Sequence, residues 1–231
     1  MDTKALVDFA AARLQEEANA EKAAHMAAYM KTEQPFYGVQ RKELTAIGRE
    51  MMKRFAPEDR GDYEEGIRSL WTQPHREEQY LALHFARFAK PFVGVKSLEV
   101  YEELIRQGAW WDLVDEVATQ IISPLYLKNR QTLSPVMGQW IEDSCLWIRR
   151  TAILSQLKHK ENTNSDQLFE FCLRRAHETE FFIRKAIGWA LRQYSYAAPD
   201  EVRDFLLTNQ DHLSGLSFRE GAKVLKKQGL M

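Results

Sequence analysis

Three stretches of the chain align at a fixed offset of 35 residues: Trp111-Asp112-Leu113-Val114-Asp115-Glu116-Val117-Ala118, Leu146-Trp147-Ile148-Arg149-Arg150-Thr151-Ala152-Ile153 and Phe181-Phe182-Ile183-Arg184-Lys185-Ala186-Ile187-Gly188. A weaker copy reaches back to Gln79-Tyr80-Leu81-Ala82. Self-similarity at such a period marks a chain that stacks one supersecondary unit on the next, because a single unit cannot bury its own apolar face. Few other folds tolerate this repetition, so the period constrains the architecture more than composition does.

The rest of the chain shows helical spacing and no strand-like alternation. Ala5, Leu6, Phe9, Ala10 and Leu14 form one stripe of a helix over 2–17. Further helices are predicted at about 20–31, 40–54, 57–71, 74–88, 98–107, 110–123, 125–142, 145–158, 166–176, 179–195, 199–208 and 217–228. Gln34-Pro35-Phe36-Tyr37-Gly38 interrupts the series as a turn, and Pro124 is expected to stop the helix that opens at Trp110. Short helices with short connections and a 35-residue period predict an all-α fold. It is read as a curved solenoid of HEAT-like antiparallel helix pairs, an α-α superhelix in one domain over 1–231.

The period also sorts the polar residues. Asp115, Arg150 and Lys185 fall at equivalent places on three successive helices, with Trp111 one turn before Asp115 and Trp189 one turn after Lys185. All five are expected on one side of the stack, the side such proteins use for binding. An Asp–Arg ladder tying repeats together, with the tryptophans as core, would produce the same spacing. Against it, a face built only for stacking is usually aliphatic, whereas large aromatics here alternate with charges.

Composition narrows the function. The net charge is −1, which argues against binding nucleic acid through bulk charge, yet residues 147–192 hold nine Lys and Arg against five Asp and Glu. Lys158, Lys185, Arg192 and Arg219 are candidate cations of a local basic face that could follow a phosphate backbone. The six histidines and two cysteines show no ligand spacing, so no metal is expected. There is no phosphate-loop or dinucleotide fingerprint, so no nucleotide cofactor is expected. Without an apolar run of membrane length, without a signal peptide and with only two cysteines, the chain reads as a cytoplasmic protein with no membrane partner.

Aromatics, one carboxylate and a basic face fit one chemistry. An alkylated purine is cationic and therefore already a good leaving group. Tryptophan faces attract such cations by roughly 0.5–2 kcal/mol. Loss of the base leaves an oxocarbenium-like sugar that a carboxylate can stabilise while it positions water.

At these residues the sequence resembles the AlkD-type DNA alkylation repair glycosylases. Trp110-Trp111-Asp112-Leu113-Val114-Asp115, Trp147-Ile148-Arg149-Arg150-Thr151-Ala152-Ile153-Leu154 and the run from Glu180 to Arg192 carry the likeness. Leu70-Trp71, Pro74-His75-Arg76-Glu77 and Leu216-Ser217-Phe218-Arg219-Glu220 extend it over nearly the whole chain. The resemblance implies a metal-free, cofactor-free monofunctional glycosylase. Its substrate would be double-stranded DNA carrying 3-methyl- and 7-methylpurines, attacked without flipping the lesion out of the stack. It implies Asp115 as the catalytic carboxylate, Trp111 and Trp189 as aromatic walls, Arg150 as the groove cation and Tyr29 as a further lining residue. A monomer is the simplest assembly. The alternatives are a non-catalytic HEAT-like scaffold for distorted DNA or for a protein partner, and a DNA-binding relative that does not cut.

Overall fold

The computed structural model describes residues 1–231. It is helical throughout and contains no strand. The chain gathers into two compact units, Met1–Val100 and Tyr101–Met231.

In the first unit, α1 (Thr3–Glu16) packs on α3 (Arg41–Arg54), α4 (Arg60–Trp71) and α5 (Arg76–Phe88). Leu6, Ala10 and Leu14 of α1 meet a core of Ile47, Met51, Tyr63, Ile67, Leu81 and Phe85. Three helix starts are set by side chains that satisfy orphan backbone donors: Asp2 caps α1, Asn19 caps α2 (Ala20–Met30) and Asp59 caps α4. The Asp59 cap explains why α4 opens at Arg60 and not at the proline three residues earlier.

The turn between α2 and α3 is pinned from beneath. The fully buried Glu77 carboxylate accepts the backbone N–H groups of Tyr37, Gly38 and Val39 at 3.0, 2.8 and 3.1 Å. Gly38 has φ +86°, and a Cβ there would stand 2.1 Å from the Asn19 carbonyl oxygen. Only glycine fits both the left-handed backbone and the close approach. Helix α2 itself buries none of its residues.

After α6 (Leu98–Gly108), the second unit repeats. Helices α7 (Trp111–Glu116), α10 (Leu146–Leu154) and α12 (Phe181–Tyr194) begin 35 residues apart, and α14 (Gly215–Gly221) follows nearly in step. Helix α10 packs between α7 and α12, and α14 packs on α12, giving the helical solenoid that the period predicts. The intervening helices α9 (Arg130–Trp140), α11 (Ser165–Arg174) and α13 (Pro199–Thr208) pack on this series. Helix α15 (Lys223–Lys227) packs on α14.

Pro124 does not stop its helix. Residues 111–128 run on continuously through a π-helical turn at Val117–Ile122 into α8 (Ser123–Lys128). The Ser123 N–H reaches the Ala118 carbonyl, five residues back. The wider turn moves the carbonyl four residues before the proline out of the way of its ring, which removes the clash that breaks an ordinary helix. The chain then breaks at Asn129, whose side chain donates to the Leu125 carbonyl at 2.9 Å.

Helix α14 seats on α12 through Gly188. A Cβ at that position would stand 2.4 Å from Cβ of Glu220 and 2.9 Å from the Ser217 carbonyl oxygen. Ser217 also donates its hydroxyl to the Arg184 carbonyl at 3.0 Å. Gly188→Ala should therefore destabilise the protein by about 1–3 kcal/mol through overpacking. Thermal melting checks this; an unchanged melting temperature would mean that the contact is not tight.

Candidate active site

Two adjacent tryptophans are turned to different tasks by the backbone between α6 and α7. Ala109 takes φ +37°, in the left-handed region that a non-glycine residue rarely adopts. Trp110 then occupies the N-cap position of α7 in extended backbone, and its ring packs at 6.1 Å from Trp147 and 5.5 Å from Phe182. Trp111 opens the helix and lines a pocket of about 200 Å³ together with Arg150, Phe181, Phe182 and Lys185.

Asp115 stands one turn beyond Trp111, two residues before the π-helical turn. Arg150, only 4% exposed, holds it in a two-pronged pair: Nε and Nη2 each donate to one carboxylate oxygen at 2.8 Å. The remaining guanidinium nitrogen, Nη1, donates to the Phe182 carbonyl. One arginine thus ties α7, α10 and α12 together. Its guanidinium carbon lies 5.8 Å from the centre of the Phe182 ring.

This pair occupies the 35-residue step. The Asp–Arg ladder anticipated from the repeat is present at that rung, and the same rung borders the pocket. Burial pushes the Asp115 carboxyl above its ordinary value, the two Arg150 hydrogen bonds and the guanidinium charge pull it back, and Asp112 adds a smaller upward push. A carboxylate offers about four lone-pair sites. Two are taken by Arg150, which leaves two for a water or a substrate atom.

The step of 35 residues that leads on from Lys185, to Glu220, is also an ion pair. Lys185 donates to Oε1 of Glu220 at 3.0 Å. Lys223 reaches the same oxygen at 2.7 Å, and Arg192 donates to Oε2 at 2.6 Å. Trp189, half-buried, lies between Lys185 and Arg192 along the same stripe of α12. It is not among the residues that line the pocket. Glu220 lies well below the usual carboxylate range: burial opposes ionisation, but Lys223 and Lys185 outweigh it and bring the group to about 2.

Other candidate cations are distributed differently. Lys158 is exposed, its backbone N–H donates to Ser123 Oγ at 3.1 Å and its ammonium group reaches Gln120. Arg219 is exposed on α14. Tyr29 belongs to the first unit, near the end of α2, and is 72% exposed. Much of the basic excess between 147 and 192 is neutralised locally, as Arg149 pairs with Glu178 and both Arg174 and Arg175 pair with Glu142. No group of three or more His, Cys, Asp or Glu side chains converges as a metal site, and no helix is long and apolar enough to cross a membrane.

The sequence reading missed Phe181 and Phe182 as pocket walls and Glu220 as the hub of three cations. A signal for each was present: the first two open the third copy of the repeat, and Glu220 lies one period after Lys185.

Arg150→Ala would leave the half-buried Asp115 without its cation, at a cost of up to about 3–5 kcal/mol. The loss should depend on pH. Without the guanidinium the Asp115 carboxyl rises further, and a raised folded-state value gives stability that is present in acid and lost as pH rises through it. Melting of wild type and variant should show a larger gap at pH 7 than at pH 4.5. An equal gap at both values would show that Asp115 is not electrostatically dependent on Arg150.

The sequence model of a family described as DNA alkylation repair enzyme matches residues 10–225. A solved structure described as "Predicted DNA alkylation repair enzyme from Enterococcus faecalis" is similar to this chain with a TM-score of 0.85 and 31% sequence identity, over 91% of this chain and 98% of that chain. No curated protein matches.

Proposed function

Because the chain belongs to the DNA alkylation repair enzyme family, we propose that it is a monofunctional DNA glycosylase that removes cationic alkylated purines, 3-methyladenine and 7-methylguanine, from duplex DNA. The observation that carries this reading is the Asp115–Arg150 pair, a carboxylate fixed by two 2.8 Å hydrogen bonds to an arginine that lines a pocket with aromatic walls.

The chemistry asks for little more. The bond between C1′ and the purine nitrogen breaks, and its electron pair leaves with the base, which departs neutral. Positive charge is left on the sugar ring. A preorganised carboxylate in a partly desolvated site stabilises that charge more than one in bulk water would. Arg150 keeps Asp115 oriented without occupying all its lone pairs. A water then adds to C1′ and passes a proton through Asp115 to solvent, leaving an abasic site. In this scheme Trp111 and Trp189 face the cationic base or sugar, and Lys158, Lys185, Arg192, Arg219 and Tyr29 contact the DNA strands. The protein acts as a monomer, with no metal and no cofactor.

The test is base release from methylated duplex DNA, resolved by chromatography, for wild type and Asp115→Asn in parallel. The variant keeps side-chain volume and should lose about 10²–10³-fold in release, the usual cost of removing one charge-stabilising group, while still melting cooperatively. Wild-type activity should also fall in acid as Asp115 takes up a proton, with a limb above the ordinary aspartate value of 3.8. Full activity in the variant would remove the assignment of Asp115. No release by a well-folded wild type would favour a non-catalytic scaffold for distorted DNA or a protein partner.

A further inference from the structure

Glu220 is an acidic residue in a place where a DNA-binding reading would not ask for one. It is 7% exposed, and its carboxylate gathers three cations from two sides: Lys185 and Arg192 from α12, and Lys223 from the start of α15. The backbone is shaped for it. Gly188 lets Glu220 approach α12 more closely than any side chain at 188 would allow, and Ser217 ties α14 to the Arg184 carbonyl.

The two α12 cations lie seven residues apart on one helical stripe with Trp189 between them. Left alone, long cationic side chains so placed repel each other and spread into solvent. Joined to one carboxylate, they are held in fixed positions on either side of the tryptophan. Three cations against one anion leave an excess of two positive charges at this point. Donor capacity also remains. Lys185 spends one of three N–H groups on Glu220, and Arg192 uses only its Nη1.

We propose that Glu220 is a positioning residue for DNA, holding Lys185 and Arg192 as a rigid seat for one backbone phosphate beside Trp189. This rests on the DNA-binding part of the function proposed above. The carboxylate touches no substrate atom. It acts by removing the disorder that binding would otherwise have to remove from two flexible side chains. Its strongly acidic character keeps it charged throughout the neutral range, so the seat does not come apart with modest changes of pH.

The proposal has a counterintuitive consequence. On charge alone, Glu220→Gln adds one positive charge to the protein and should strengthen binding to DNA. If the carboxylate positions its cations, the same change should weaken binding.

The experiment is fluorescence anisotropy with a labelled duplex containing an abasic-site analogue, across a salt series, for wild type and Glu220→Gln. Melting curves confirm that both are folded at the assay temperature. Weaker binding by about three- to tenfold at each salt concentration is expected. The plot of log affinity against log salt should become shallower by about one phosphate contact. A merely structural role would lower the melting temperature and leave the salt slope unchanged, which overturns the proposal. Tighter binding with a steeper slope overturns it equally.

Should Glu220→Gln fail to fold, Lys185→Gln, Arg192→Gln and their double variant answer the same question. Two cations on one phosphate seat should lose less together than the sum of their separate losses, whereas strict additivity means separate contacts and overturns the proposal. A wild type that binds no DNA at any salt concentration removes the premise itself, an outcome distinct from any difference between variants.

Discussion

The contact on which the second unit depends is the pair between Arg150 and Asp115. It spans α7 and α10 with two parallel hydrogen bonds of 2.8 Å and reaches α12 through the Phe182 carbonyl. A buried ion pair is weak as a source of net stability but costly to break, because either partner alone is a stranded charge. That asymmetry makes it a registration device. Three helices of a repeating stack are held in one alignment, and any slip of a helix along its neighbour would leave a charge without its partner.

The same alignment produces the site. Asp115 is one turn from Trp111, and Arg150 joins Trp111, Phe181, Phe182 and Lys185 in the pocket lining. The carboxylate is therefore oriented by the interaction that organises the fold. A π-helical turn follows two residues on, carries Pro124 without breaking the helix and places the Thr119 hydroxyl 2.7 Å from the Asp115 carbonyl. Local departures from regular geometry, here the π turn and the left-handed Ala109, bracket the chemically interesting residues on both sides. Such departures persist only where surrounding packing over-determines them.

Charge in this unit is arranged in compensated groups. Glu142 and Glu178 absorb the arginines at 149, 174 and 175, while Glu220 gathers Lys185, Arg192 and Lys223. A chain with net charge −1 can present cations locally if acidic residues hold them in position while leaving part of their donor capacity free. What such a surface offers to an anion then depends on which N–H groups remain unused, a property that no count of lysines and arginines conveys.

Sequence alone determined the all-helical class, the 35-residue step and the equivalence of Asp115, Arg150 and Lys185, because helical periodicity and repetition are local properties of the chain. Most helix limits followed from the same patterns, as with α1, α3 and α13. Pro124 was one exception, since a π turn depends on what neighbouring helices will accept; the start of α4 at Arg60 and the break at Asn129, inside the helix expected over 125–142, were others. The role of the 37–39 turn was hidden for a similar reason: its backbone donors are satisfied by Glu77, some 40 residues away. Only the tertiary structure decided that Asp115 and Arg150 share both oxygens, that Phe181 and Phe182 line the pocket with Trp111, and that Lys185 and Arg192 meet at Glu220. Periodicity places residues on a face, but hydrogen bonds form over about 3 Å, and that precision comes from packing between helices far apart in the chain.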